Sequence, residues 1–284
     1  MPVHVESLTL ERPRSLNAAL SMLAGNPALV PIAGCTDVYV SMQFGTMKQQ
    51  RFIDLWHLDE LRGITVKGDT LRIGALTTFT ELIESKVVTK RVPMLVAASR
   101  EVGGAQIQNR GTLGGNIANA SPAGDTLPVL AAADARVVLR SDRGQRIVPF
   151  ESFYTGYRAS VRQPHELITA IEFPAIRGQQ WWRKVGTRRA QAISKIMIAA
   201  VRGPDVRIAF GSVGPTVILA RETASILQRG GSIADAQAAL LTDITPIDDI
   251  RSTRDYRARV AANLLAQFWA ATESPFALRA SEDK

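Results

Sequence analysis

Cysteine is almost missing from this chain: Cys35 is the one thiol among 284 residues. That excludes an internal disulfide framework, a structural zinc site and an iron–sulfur cluster held by this polypeptide alone, because each needs several thiolates. Histidine is nearly as scarce. His4, His57 and His165 lie far apart, and no His-Glu-x-x-His occurs, so neither a metal site nor a Ser-His-Asp triad is expected. No Gly-x-Gly-x-x-Gly follows a strand and no Gly-Lys pair exists. The usual dinucleotide fingerprint and the P-loop lysine are therefore absent. No apolar run approaches the length of a membrane span. The start of the chain, Met1 to Glu6, has no basic region followed by an apolar run, so no signal peptide is read and the expected compartment is the cytoplasm.

Aromatic residues make up only 6% of the chain, so Ala, Val, Leu and Ile must build its cores. The composition, 46% hydrophobic and 21% charged, suits two modest folded domains. The net charge of +8 is spread along the chain, with no basic run longer than a pair such as Arg188-Arg189. This argues against nucleic acid and leaves solubility, an anionic cofactor or an acidic partner subunit.

The apolar spacing predicts a helix over Ser15 to Leu23, with Ser15 as N-cap, and a buried strand over Ala28 to Ile32. A helix is expected over Val38 to Phe44 and a strand over Arg51 to Leu55. Ile64 to Lys67 and Thr70 to Ile73 flank Gly68-Asp69 as a hairpin. Helices are expected at Phe79 to Glu84, Val92 to Glu101 and Thr126 to Asp134. Strands follow at Arg136 to Arg140, Arg146 to Val148 and Glu166 to Phe173, the last ending at Pro174. Ala175 to Gln180 is the candidate domain boundary. Beyond it come strands at Trp181 to Val185, Ile193 to Val201 and Val206 to Val213. Helices then follow at Ile218 to Gln228, Ile233 to Leu241 and Ser252 to Ala271, the last with Tyr256, Val260, Leu264 and Phe268 at helical spacing. The order is mixed α/β, then strands, then helices, rather than regular βαβα alternation.

Two glycine-bearing segments carry the chemistry. In Ile32-Ala33-Gly34-Cys35-Thr36-Asp37, a strand ends in small residues that let backbone approach a ligand, and successive N–H groups can form an anion-binding nest. On its own it also reads as a plain strand-to-helix turn. In Gly111 to Asp125, permissive backbone at Gly114 and Gly115 alternates with the short hydrogen-bonding side chains of Thr112, Asn116, Asn119, Ser121 and Asp125. Such a path suits a pyrophosphate and a polyol, since backbone amides and neutral side chains bind phosphate without lysine. The competing reading is a long loop of Asx-turns. Lys184 and Gly186-Thr187-Arg188-Arg189 place positive charge beyond the boundary, either as a solvated basic turn or as a lever on an electron-accepting ring. Of Trp181-Trp182, one is expected in a core and the other half-exposed.

Together these segments resemble the FAD-binding subunits of molybdenum hydroxylases, the xanthine dehydrogenase family. Ala33-Gly34-Cys35-Thr36-Asp37 resembles its Ala-Gly-Gly-Thr-Asp segment. Thr112 to Asp125 resembles its long and specific Thr-x-Gly-Gly-Asn-x-x-x-Ala-Ser-Pro-x-x-Asp segment. Ile247 to Arg257 is similar to its approach to the last helix. The resemblance implies a two-subdomain α/β FAD-binding domain of the vanillyl-alcohol-oxidase (PCMH) type over residues 1–175, divided near residue 57. A smaller α+β C-terminal domain would follow over residues 180–280. Pro31, Ile32, Ala33, Gly34, Cys35, Thr36, Asp37 and Val38, with Thr112, Gly114, Gly115 and Asn116, would hold the FAD pyrophosphate. Asn119 and Asp125 would contact the ribityl or a nearby phosphate, Ile168 would pack near the adenine, and Lys184 would lie near the isoalloxazine.

The implied enzyme is a heterotrimer. A large subunit would carry the molybdenum cofactor, a small subunit the [2Fe-2S] clusters, and electrons would leave FAD for NAD or another acceptor. No catalytic residue is expected in this chain. A free-standing FAD-dependent oxidoreductase and a non-enzymatic nucleotide or nucleic-acid binder are the alternatives. Two positions depart from the family. Cys35 replaces a glycine, so a positive φ there would be strained. Val102 stands where some relatives place an aromatic that stacks on the ring.

Overall fold

The computed structural model describes residues 7–273. Met1 to Glu6 and the end of the expected C-terminal unit beyond residue 273 lie outside the described residues. Residues 9–54 build a small parallel sheet. Its elements are β1 (Thr9–Glu11), α1 (Leu16–Gly25), β2 (Val30–Ile32), α2 (Thr36–Gln43) and β3 (Arg51–Asp54), and the strand order is β1-β3-β2. Ser15 caps α1 as expected, its hydroxyl accepting from the Ala18 amide. The core beneath is wholly aliphatic, with Leu16, Leu20 and Leu23 of α1 against Ile53, Leu55, Leu58 and Leu61. Strand β1, exposed throughout, has no apolar alternation to betray it. With it in place, the helix-strand-helix-strand order read here from the sequence gains a leading strand, while the chain as a whole keeps its order of mixed α/β, then strands, then helices.

A second sheet is antiparallel, ordered β4-β5-β10-β6-β7. The hairpin β4 (Ile64–Lys67) and β5 (Thr70–Gly74) opens it. Six short helices then intervene: α3 (Phe79–Glu84), α4 (Lys86–Arg91), α5 (Pro93–Arg100), α6 (Ala105–Gln108), α7 (Leu113–Asn119) and α8 (Leu127–Ala132). Strands β6 (Arg136–Ser141), β7 (Gly144–Pro149), the small ribbon β8 (Tyr154–Gly156) and β9 (Ala159–Ser160), and β10 (Leu167–Phe173) complete the unit. The sequence reading missed α4, α6, α7 and the ribbon. Helix α7 sits inside the glycine-rich stretch that reads as a loop, because two glycines mask a helix that tertiary anchors hold. Leu113 and Ile117 are fully buried, and Thr112 caps the helix through the Gly115 amide.

The third sheet is antiparallel: β11 (Gln179–Gly186), β12 (Ser194–Arg202), β13 (Arg207–Gly211) and β14 (Ile218–Leu219), in that order. Ile218 and Leu219 are thus a strand paired with β13, not the start of a helix. The helix α9 begins only at Arg221 (Arg221–Gln228). Helices α10 (Ile233–Asp243) and α11 (Arg254–Ala271) cover one face of this sheet. On α11 the buried stripe is Arg257, Ala261, Leu264, Leu265 and Phe268, which turns Tyr256 outward. The other face of the sheet sends Ala199, Val201 and Ala209 into the core of the second unit. The two tryptophans of β11 follow strand alternation and are both half-buried. Trp181 packs on the helix side and Trp182 on the opposite core.

Candidate cofactor-binding site

Strand β2 delivers Ala33-Gly34-Cys35 at its C-terminal end, where a parallel strand hands over to α2. A Cβ on Gly34 would lie 1.7 Å from the Arg110 carbonyl oxygen and 3.2 Å from the Gly111 nitrogen. The first loop thus rests directly on the backbone that leads into the second, and only glycine permits that approach. Cys35 adopts φ 62°, a left-handed conformation that costs a non-glycine residue about 1–2 kcal/mol. The strain expected from the sequence is therefore present. Its thiol donates to the Ala33 carbonyl at 3.4 Å. Burial pushes that thiol up, Arg110 opposes, and Asp54 adds to the rise, so it is not a reactive thiolate. No side-chain hydrogen bond caps α2, leaving its first-turn amides as donors for a ligand.

The second loop is strapped to the segment after β5. The Leu113 amide donates to the Thr77 carbonyl at 3.0 Å, and the Gly114 amide to the Ala75 carbonyl at 2.8 Å. A Cβ on Gly114 would press on the Ala75 carbonyl oxygen and Cβ, both at 2.7 Å. The Ala75 amide in turn donates to Thr169 at 3.0 Å, which ties in β10 beside Ile168. Ile168 itself is buried at a bulge of β10, opposite Leu139. Asn116 accepts from the Thr126 hydroxyl at 2.7 Å, linking α7 to the residue after Asp125.

The loops meet a second time through side chains. Arg158, in the turn between β8 and β9, donates to Asn119 Oδ1 at 2.9 Å. Asp37 keeps an exposed edge, yet desolvation in the cleft raises its carboxyl, against the attraction of Arg158 and a hydrogen bond with Asn119. Arg110 lies 3.7 Å over the Trp56 ring, with Arg62 4.6 Å over the same ring. The sequence reading named none of Arg158, Arg110 or Trp56, for they belong to no motif.

Asp125 and Lys184 form a buried ion pair of 2.9 Å, their side chains 11% and 6% exposed. Lys184 also donates to the Glu101 carbonyl at 3.2 Å, and the Trp182 indole to the Asp125 carbonyl at 3.3 Å. Burial drives the Asp125 carboxyl up to about 6, against the pull of Lys184. Its Oδ1 is buried with no hydrogen-bond partner, although the other carboxylate oxygen is satisfied. An orphaned acceptor of this kind asks for a hydroxyl donor from outside the chain. Val102, the other departure, packs half-buried against the main core.

The residues present fit an extended, phosphate-bearing polyol such as the ribityl-pyrophosphate part of FAD. Uncapped amides and glycine backbone stand at one end, and a lone carboxylate oxygen with a neighbouring ammonium at the other. A cavity of about 480 Å³ near Lys90, Pro93 and Gln180 shares no residue with these loops.

Comparison with known proteins agrees. Residues 6–176 match a family described as the FAD binding domain in molybdopterin dehydrogenase, and residues 181–272 the CO dehydrogenase flavoprotein C-terminal domain. The chain is 32% identical over 260 residues to a xanthine dehydrogenase FAD-binding subunit from Escherichia coli O157:H7, covering 87% of this chain and 89% of that one. It is 30% identical over 267 residues to the carbon monoxide dehydrogenase medium chain of Hydrogenophaga pseudoflava, covering 89% and 92%. A solved carbon monoxide dehydrogenase from Hydrogenophaga pseudoflava, lacking the Mo-pyranopterin moiety of its cofactor, superposes with a TM-score of 0.87 at 27% identity, covering 94% of this chain and 96% of that one. The site's geometry and these likenesses converge on one assignment: this chain belongs to the family of FAD-binding subunits of molybdenum-containing dehydrogenases.

Proposed function

We propose that this chain is the flavin-carrying electron relay of a three-subunit molybdenum hydroxylase. A large partner would hold the molybdenum cofactor and oxidise the substrate, and a small partner would hold the [2Fe-2S] clusters. Bound FAD supplies the capacity to take electrons from a cluster and to pass them to NAD or another acceptor. The observation that carries the reading is the contact of the first glycine loop with the second at Gly34 and Arg110. It sets the uncapped start of α2 against the backbone that leads into α7, as a shared binding groove for the cofactor would require.

In this assignment residues 31–38 hold the pyrophosphate together with Thr112, Gly114, Gly115 and Asn116. Asn119 and Asp125 take the ribityl or a nearby phosphate, and Ile168 lies toward the adenine. Lys184 offers its charge to the ring, favouring the reduced anionic flavin. The first 175 residues form the FAD-binding domain, in parts of about 1–57 and 58–175, and residues 180–280 form the C-terminal domain. Among the described residues no helix is long and apolar enough to cross a membrane, which is compatible with a cytoplasmic complex.

The test is purification of the tagged chain expressed with its partners. A yellow protein with one FAD per chain, recovered together with a molybdenum subunit and an iron–sulfur subunit, is expected. A chain that purifies colourless and binds no added FAD would overturn the reading. One that oxidises a small molecule unaided would replace it with a free-standing flavoenzyme.

A further inference from the structure

Neither glycine loop brings a cation of its own, although the diphosphate they would hold is a dianion. Pro31 to Val38 and Thr112 to Asn116 contain no lysine, arginine or histidine. The first loop instead brings a carboxylate, Asp37, in the first turn of α2. A helix start offers only about half a unit of positive charge. The diphosphate and that carboxylate together would outweigh it, so a counter-charge has to come from another part of the fold.

The small ribbon of β8 and β9 supplies one. Its base is fixed to α7: the Tyr154 hydroxyl donates to the Ile117 carbonyl at 2.8 Å, and the Tyr154 ring packs edge-on to Phe150 and Phe153 at 5.4 and 5.2 Å. Its tip carries Arg158. The Nη1 atom of Arg158 donates to Asn119 Oδ1 at 2.9 Å and, more weakly at 3.5 Å, to the Asn119 carbonyl at the end of α7. Asn119 in turn bonds to the Asp37 carboxylate, and the charge of Arg158 acts on the same group. With Oδ1 accepting from Arg158, the Asn119 amide is the donor to Asp37. A guanidinium, an amide and a carboxylate thus join the ribbon tip, the end of α7 and the start of α2.

These contacts leave part of Arg158 unused. The residue is exposed, and among the described residues its Nε and Nη2 atoms have no hydrogen-bond partner. It holds φ 52° at a turn position where glycine would be free of strain. Arg110, the other arginine beside the first loop, is stacked 3.7 Å over Trp56.

We propose that Arg158 is a cofactor-binding residue: its free guanidinium edge donates to the FAD diphosphate and offsets the charge of Asp37. The inference rests on the proposed function and adds to it the cation that the two loops lack. A guanidinium suits the task, because its fixed fork of donors matches phosphate oxygens and its charge strengthens each bond. The ribbon acts as the arm that carries this charge to the start of α2.

The experiment titrates FAD into the FAD-free full-length chain over a range of salt concentrations and follows flavin fluorescence. Arg158→Gly, which suits the left-handed turn, should weaken binding at least about tenfold at low salt. The gap from wild type should narrow as salt rises, since screening removes what the charge contributes. Arg158→Lys should recover part of the affinity, and Lys67→Ala, which removes an equal charge from the exposed hairpin, should change nothing. In an Asp37→Asn background the loss of Arg158 should cost less, because less charge is left to offset. An Arg158 that only capped the last turn of α7 would lower the melting temperature of the FAD-free chain, and its removal would weaken FAD equally at every salt concentration. That outcome, or unchanged affinity in Arg158→Gly, would overturn the proposal while leaving the electron-relay reading intact. A wild-type chain that binds no FAD would overturn both.

Discussion

At Asp125 one carboxylate faces two demands. The Lys184 ammonium favours its charge, whereas burial opposes it, and burial wins far enough to place the carboxyl at about 6. The consequence for stability has a definite sign. An unfolded aspartate titrates near 4, so between about pH 4 and 6 the folded chain keeps a proton that the unfolded chain has lost. The contribution of this group is therefore complete below about pH 4 and is lost as pH rises through about 6. At roughly 1.4 kcal/mol per pH unit between the two values, it amounts to about 3 kcal/mol. Thermal unfolding of the FAD-free protein should show it. The stability of the wild type relative to Asp125→Asn should fall as pH climbs from about 4, the unfolded value, to about 6, then level off. A relative stability that rises over that range would refute the assignment. Cys35 shows a different residue-scale compromise: its left-handed backbone is strained, and the fold tolerates it where a glycine would sit freely.

Among the elements, α7 does most to shape the site, and it is held from outside. Its sequence, Leu-Gly-Gly-Asn-Ile-Ala-Asn, has poor helical propensity, and two glycines cost it about 1 kcal/mol each relative to alanine. The Thr112 cap, buried Leu113 and Ile117, and the bond from Gly114 to Ala75 compensate. The Tyr154 hydroxyl adds a bond to the Ile117 carbonyl at 2.8 Å. Gly114 is the sensitive point, because the atoms a side chain would meet include backbone of the adjoining strand end, which cannot swing aside. Gly114→Val should therefore lower stability by about 1–3 kcal/mol and abolish FAD binding, whereas Thr112→Ser, which keeps the cap, should do neither. Denaturant unfolding and flavin fluorescence titration read the two effects, and a Gly114→Val protein with normal affinity for FAD would show that α7 does not frame the groove.

Across the whole molecule, the segments matched by the two family models share one core. The main apolar cluster runs from Leu71 through the helices and the central sheet to Ala199, Val201 and Ala209 of the C-terminal sheet. Neither part can expose that face to water without losing apolar burial. Calorimetry should accordingly give a single unfolding transition; two resolved transitions would mean that the shared cluster contributes little.

The sequence by itself determined the elements whose signals are local. The spacing of Leu16, Leu20 and Leu23 with the Ser15 cap, the hairpin around Gly68-Asp69, and the strand ending at Phe173 before Pro174 all lie where their patterns put them. It also determined the family, because the Thr112–Asp125 motif is long and specific. Only the tertiary structure decided what depends on neighbours distant along the chain. Helix α7 against its propensity, β14 within an apparent helix, the exposed β1 and the outward turn of Tyr256 are of this kind. So are the meeting of Gly34 with Arg110, the approach of Arg158 to Asn119, and the pairing of Lys184 with Asp125 across 59 positions. The physical reason is common to all of them: propensity and capping act within a turn or two, whereas burial and charge pairing are set by which surfaces the folded chain brings together.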